Sequence, residues 1–324
     1  MLDCLNIQYY RGFESYSIEN LSKINLFTGT NNVGKSSLLE TFEIFTFTNS
    51  GMDFIRIINS ILDRRQKEFK ECDLIYSNKD FFILYNDKKK LKCAIFSLED
   101  IYKENINLKL PENLSSESKF IKVNLNGKEE IFPFKLIDTT RIGVLDNRYI
   151  NSCFMDENSI FKTFEKIKED RDKFKDLNEC LSKFDSNIEM IDFFPGNKFK
   201  VFLKNIKNPI LLSSLGEGIN RYFSILVNLI SNSKYLFIDE MENGIFYKHL
   251  PLVWDLIFTY VKEFDMQIFI TTHSKEVIDS FYFAAKKHNF FDIRLVEMKQ
   301  NDNIVLDFDM LESEILNENE LRRW

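Results

Sequence analysis

A chain of 324 residues with a formal charge of -7 has room for one large or two ordinary domains, and that charge argues against coating nucleic acid through bulk electrostatics. Hydrophobic content of 44% and charged content of 29% are those of a globular protein, and no apolar run approaches the ~18 residues that a membrane-spanning helix needs. The five cysteines are scattered without a CxxC pair, which speaks against a disulfide frame or zinc site and for reduced thiols in the cytoplasm.

The opening "MLDCLNIQYYRGF" has an early Asp and no long apolar core, so no signal peptide is expected. "INLFT" (24–28) is a short β-favouring run that stops at Gly29. "KSSLLETFEIF" then carries Leu38, Leu39, Phe42 and Phe45 at helical spacing. Further on, "DFFILYNDKKKLKCAIFSL" reads as two strands around a polar turn. "FIKVNLNGKEEIFPFKL" alternates Ile121, Val123 and Leu125 before Asn126-Gly127, a strong hairpin signal. Residues 156–184 are one long charged helix or two, with Ile160, Phe161, Phe164, Ile167, Phe174, Leu177 and Leu181 on one face. "IEMIDFF" and "FKVFL" flank "PGNK" like a hairpin. From there strands and helices alternate, which implies α/β layers with parallel strands. The 33 phenylalanines are read as compositional bias rather than as an aromatic binding surface.

Four stretches carry candidate chemistry. "GTNNVGKSS" fits G-x-x-x-x-G-K-[ST] with Gly29, Gly34, Lys35 and Ser36, between a strand and a helix. Loop N–H groups cradle phosphates there, and glycine admits a close backbone approach. Lys35 brings a charge to the β/γ-phosphates and Ser36 an oxygen to Mg²⁺. A chain of this length shows the pattern by chance on the order of 1% of the time, so an ordinary strand-helix turn is a poor alternative. "YLFIDE" ends a buried strand in Asp239, suited to Mg²⁺, and Glu240, suited to deprotonating water. "QIFITTHS" ends another strand at His273, which reaches a γ-phosphate if its strand lies beside the first; a lone strand-end His is otherwise just a hydrogen-bonded residue. "SSLGEG" either opens a second anion-binding helix N-terminus or is a capping box, Ser214 with Glu217.

The order of these motifs resembles the ABC-type ATPases, in particular the SMC-like branch and the OLD family. Ser214, Gly216 and Glu217 stand at the family's signature positions, "LFIDEMENG" looks like its Walker B segment, and "TTHS" looks like its switch histidine. Arg11-Gly12-Phe13 matches the family's opening. The resemblance implies an α/β fold: an ABC-type P-loop ATPase head with a mixed sheet, from 1–50 and 188–324, with 51–187 inserted as β-hairpins (74–137) and helices (155–185). It implies ATP and Mg²⁺ as cofactors. The ATP site would be Arg11 with Gly29, Thr30, Asn31, Asn32, Val33, Gly34, Lys35, Ser36 and Ser37. Ser36 and Asp239 would hold the metal, Glu240 and His273 would be catalytic, and Ser214, Gly216 and Glu217 would act across a homodimeric ATP sandwich that larger assemblies can extend.

Two departures stand out. Phe246 sits where OLD-like chains carry His, and no Q-loop residue is identifiable in the insertion. Only 51 residues follow His273, too few for the TOPRIM nuclease of OLD proteins, so Asp307 and Asp309 read as a solvated strand end. The end of the chain resembles standalone OLD-like ATPases of abortive-infection and PARIS-type phage defence, which implies a separate nuclease or toxin effector and a DNA or phage-protein trigger. A RecF-like or SMC-like repair ATPase that binds DNA directly, through Lys88–Lys90 and Lys92, is the alternative. A transporter subunit and a scaffold without turnover fit less well.

Overall fold

The computed structural model describes residues 1–65, 81–97, 119–133, 149–150, 157–194, 198–300 and 302–316. Its central sheet has the order β15-β14-β3-β13-β12-β8. The strands are β3 (Ile24–Thr28), β8 (Tyr149–Ile150), β12 (Tyr235–Ile238), β13 (Gln267–Thr271), β14 (Ile293–Met298) and β15 (Asn303–Leu306). All pairings are parallel except that of β14 with β15. Parallel strands buried on both faces read as continuous apolar runs, and "INLFT" and "QIFIT" are buried at every position. The fold is α/β with a mixed sheet, as the sequence implies.

Successive side chains on these strands enter different cores. Leu236, Ile238, Ile268 and Ile270 face one core. Phe237 and Phe269 face the other, beneath helix α1 (Lys35–Phe47). There Tyr149, Phe237, Phe269 and Phe27 form a row of stacked rings across four strands, and Phe42 of α1 lies 4.5 Å from Phe269. At least these phenylalanines are structural, each worth a large apolar burial.

The second core is closed by an antiparallel sheet in the order β2-β1-β4-β5-β6-β7. Its strands are β1 (Leu5–Tyr10), β2 (Phe13–Ile18), β4 (Phe81–Tyr85), β5 (Lys90–Ser97), β6 (Lys119–Leu125) and β7 (Lys128–Pro133). Helix α2 (Gly51–Arg65) fills the space beside α1. The Asn126-Gly127 hairpin forms, with φ of 51° and 90° at the two residues, the left-handed pair a tight hairpin turn needs. Strands from 51–187 therefore continue a sheet begun by residues 5–18, and Tyr149–Ile150 edges the central sheet. The division at 51 and 187 is one of sequence, not of sheets.

On the first core lie α3 (Glu157–Glu169), α4 (Arg171–Phe184), α5 (Glu217–Ile230), α6 (Leu250–Glu263), α7 (Lys275–His288) and α8 (Phe308–Leu316). The charged stretch is two helices because Asp170 caps the second, accepting from the N–H groups of Asp172 and Lys173. A small sheet, β9 (Ile188–Phe194), β10 (Lys198–Leu203) and β11 (Ile210–Leu211), joins them. The "PGN" of its expected turn lies outside the described residues, as do parts of the expected hairpin and helical spans and the last eight residues. Asp307 directly follows the end of β15, whereas Asp309 lies in the next helix. They flank the start of α8, where Asp307 accepts from Met310 N–H at 3.0 Å.

Between α1 and α2 lies a buried ionic layer. Glu40 accepts from Arg65 at 2.7 and 3.0 Å and meets Arg11 at 3.3 Å. Glu43 takes both guanidinium nitrogens of Arg64, which also lies 3.9 Å over the Tyr149 ring. Burial pushes the Glu43 carboxyl up, and Arg64 opposes that. Removing Glu43 takes from the buried Arg64 guanidinium the carboxylate it faces, so Glu43→Ala should cost about 3–5 kcal/mol, whereas the double variant Glu43→Leu/Arg64→Met should lose far less. Urea unfolding of both variants checks this; equal losses would show that the charges themselves stabilise the layer.

Candidate active site

Three parallel strands end at the same edge of the central sheet, which is where open α/β sheets hold ligands. β3 runs into the loop of Gly29–Gly34. At Gly29 the backbone φ is +143°, and an added Cβ would meet the Met298 carbonyl oxygen at 2.7 Å. At Gly34 φ is +104°, and a Cβ would sit 2.9 Å from the Phe13 ring. Both glycines are required by conformation and by space. Thr30, Asn31 and Asn32 are exposed, Val33 and Ser37 half-buried. Gly34 caps α1 without any side-chain bond, so no side chain closes off the N–H groups of the first helical turn. Lys35 is curled over the loop, donating to the carbonyls of Gly29 at 2.7 Å and Thr30 at 3.0 Å. Burial lowers its pKa, while Glu240, Glu242 and Asp239 oppose that.

β12 delivers Asp239 to the same place. Its Oδ1 accepts from Ser36 Oγ at 3.0 Å and from Thr271 Oγ1 at 2.7 Å. Burial raises its pKa, and those two hydrogen bonds lower it. Ser36 and Asp239 are thus adjacent hard oxygen donors, the kind of set Mg²⁺ takes with phosphate and water. The donor set and the uncapped, glycine-lined loop fit Mg-ATP.

Glu240 follows in the left-handed region, with φ +50°. Its N–H donates to Thr271 Oγ1 at 2.8 Å, and its Oε2 accepts from Asn243 Nδ2 at 2.5 Å. β13 is the strand next to β12, and two residues past its end His273 meets Glu242 of the turn that follows β12. Its Nδ1 lies 2.7 Å from Glu242 Oε1, while Glu242 also accepts from the His273 N–H at 2.8 Å and Thr272 Oγ1 at 2.6 Å. Sequence reading quoted the stretches that hold Glu242, Thr271 and Asn243 but gave none of the three a role. Only the repeated acid in "DEMEN" hinted at the first.

The signature residues lie apart. Ser214 is in a 3₁₀ turn (Leu212–Leu215), and Gly216, not Ser214, caps α5 without a side-chain bond, so the capping box does not form. Ser214, Gly216 and Glu217 are exposed, and among the described residues no hydrogen bond joins them to residues 29–37. Gly218 packs under the Walker B turn: a Cβ there would meet the Gly244 carbonyl oxygen at 2.9 Å. Phe246 and Tyr247 protrude from that turn. Arg11 pairs with Glu40 of α1 rather than with a loop residue. Lys89, in the candidate DNA-binding run, points inward: its ammonium caps the carbonyls of Phe45 and Thr48 at the end of α1, and burial lowers its pKa to about 8.

A raised carboxyl pKa means that the ionised form is disfavoured on folding. Above that pKa the charge weakens the fold, and the stabilising contribution of the protonated form, present at low pH, is lost as pH rises. Asp239→Asn keeps an Oδ1 acceptor for Ser36 and Thr271, so it should raise the melting temperature of the nucleotide-free protein at pH 7 while removing the Mg²⁺ dependence of nucleotide binding. Thermal unfolding and binding titrations with and without Mg²⁺ check this; a lowered melting temperature would refute it.

The chain matches the family described as "AAA domain, putative AbiEii toxin, Type IV TA system" over residues 24–279. It is 25% identical over 360 residues to an ATP/GTP phosphatase of Helicobacter pylori, covering 94% of each chain. It is 32% identical over 127 residues to an uncharacterized protein of Methanocaldococcus jannaschii, covering 39% of this chain and 53% of that protein. An SMC head, solved bound to the C-winged helix domain of ScpA, matches with a TM-score of 0.53 and 13% identity over 97% of this chain and 99% of that one. At that identity the likeness concerns the fold. Among the described residues, no helix is long and apolar enough to cross a membrane. Since the family match spans the phosphate loop, both strand-end acids and the Thr-Thr-His-Ser strand end, the chain belongs to this AAA-domain family and is an ATPase on an SMC-head-like α/β fold.

Proposed function

We propose that this ATPase closes Mg-ATP between two copies of itself and uses that cycle to hold or release a separate effector, a nuclease or toxin, in defence against phage. One observation carries the reading. Lys35, Ser36, Asp239, Glu240 and His273 converge at one sheet edge, while Ser214, Gly216 and Glu217 are exposed and unengaged with that loop. Signature residues that are exposed and make no hydrogen bond to their own phosphate loop are completed most simply by a two-fold copy, since an isologous contact closes two sites at once.

Within the site, the loop N–H groups and Lys35 hold the phosphates. Ser36 Oγ and Asp239 would hold Mg²⁺, which would supply charge neutralisation at the phosphate oxygens when bound. Glu240, its Oε2 steadied by Asn243, takes the proton of the attacking water. Glu242 holds His273 by Nδ1 and leaves Nε2 for the γ-phosphate. The phosphatase relative's name supports GTP as a second substrate. The family's reference to a toxin–antitoxin system supports a working partner in trans. Closed and open states that differ in affinity for that partner convert hydrolysis into release. DNA or a phage protein is the trigger class.

Glu240→Gln should lower hydrolysis roughly 10²-fold or more while keeping ATP bound, and Lys35→Ala should weaken binding itself. With ATP, the Glu240→Gln protein should sediment as a dimer at micromolar concentration. Wild-type turnover would remove Glu240 as the base, and a monomer with and without ATP would remove the sandwich. In a phage-challenged host, protection should require the neighbouring open reading frame as well. Full protection by this chain alone, or DNA degradation by it alone, would end the effector-in-trans reading.

A further inference from the structure

The signature helix α5 sends one buried cation into the Walker B turn. Arg221 is 8% exposed, and its guanidinium donates to the carbonyl oxygens of both Asp239 and Glu240, the latter at 3.1 Å. These are backbone contacts at the point where the chain leaves β12 and turns through the left-handed φ of Glu240. For a residue with a Cβ that conformation is strained and persists only where surrounding bonds over-determine it. Three such bonds are present: Thr271 Oγ1 on the Glu240 N–H, Asn243 on its carboxylate, and Arg221 on its carbonyl. Charge-assisted bonds are about twice as strong as neutral ones, so Arg221 is the strongest of those on the backbone. Burial lowers its pKa to about 10, and Asp239, Glu242, Tyr149 and Glu240 oppose that, so it is a cation at neutral pH.

We propose that Arg221 is a positioning residue that fixes the backbone of Asp239 and Glu240, and so the aim of the Glu240 carboxylate, from the helix that bears the signature residues. It touches neither phosphate nor water in this role. Glu217 and Arg221 are four residues apart on α5, one helical turn, so a shift of the signature end of α5 moves the guanidinium and the base together. The proposal rests on the reading of Glu240 as the base.

The experiment measures kcat and Mg-ATP affinity for Arg221→Ala, Arg221→Lys, Glu240→Gln and the Arg221→Ala/Glu240→Gln pair. Arg221→Ala should lower kcat roughly tenfold or more with affinity within about twofold, and should add less than about twofold to the Glu240→Gln loss. Arg221→Lys keeps the charge and the stem but offers no planar fork, so it should lie between wild type and Ala. An unchanged kcat in Arg221→Ala beside an inactive Glu240→Gln overturns this proposal alone. So does a loss that multiplies with that of Glu240→Gln, or a loss of affinity equal to the loss in kcat. If Arg221→Ala fails to fold, a wild-type kcat in Arg221→Lys overturns it. A Glu240→Gln protein with wild-type turnover removes the base assignment, and this proposal with it.

Discussion

One buried carboxylate organises the edge of the sheet where three parallel strands end. Asp239 is brought to the end of a fully apolar strand and kept out of water. A buried carboxylate demands donors, and the structure supplies them from a helix start and a neighbouring strand: Ser36, in the first turn of α1, and Thr271, the last residue of β13. Meeting that demand sets the three strand ends at one height. The P-loop, the two acids and His273 then become neighbours because one charge has to be satisfied. Burial raises its pKa and the charges of Glu240 and Glu40 add to that, while the two hydrogen bonds lower it.

The phosphate loop was legible because its signal is local. Two glycines, a lysine and a serine at fixed spacing occupy one turn, and the helix that follows shows its own period. Asp239-Glu240 and His273 were legible as polar residues ending apolar strands, which holds wherever strands are parallel. Thr271, Glu242 and Arg221 were not. Their roles depend on register between strands and on the rotation of α5, and a threonine or arginine in isolation carries no such information. Arg11 shows a role that the sequence does not carry: the family pattern suggested phosphate, and the fold adds an ion pair with Glu40. The hairpins of the middle segment were readable as hairpins, but nothing local told that β4 would seek β1.

The layer beneath α1 is the second organising device. Glu40 and Glu43 lie on the inner side of the phosphate-loop helix, one facing Arg11 and Arg65, the other Arg64. Lys89 caps the far end of the same helix from the β4–β5 turn. The helix that follows the glycine loop is thus clamped along its length by residues of the middle segment. That segment is part of what holds the catalytic edge still, whatever else it contacts.

The sheet order also governs when the site is born. β3 is made within the first thirty residues, yet both of its neighbours, β13 and β14, come from residues 267–298. Such pairings close loops of more than two hundred residues, and non-local pairings of this kind form slowly. On the ribosome the phosphate loop therefore emerges first and is assembled last. Until the distal strands arrive, β3 is an apolar strand with two open edges, the sort of surface that chaperones shield and that misfolding exploits.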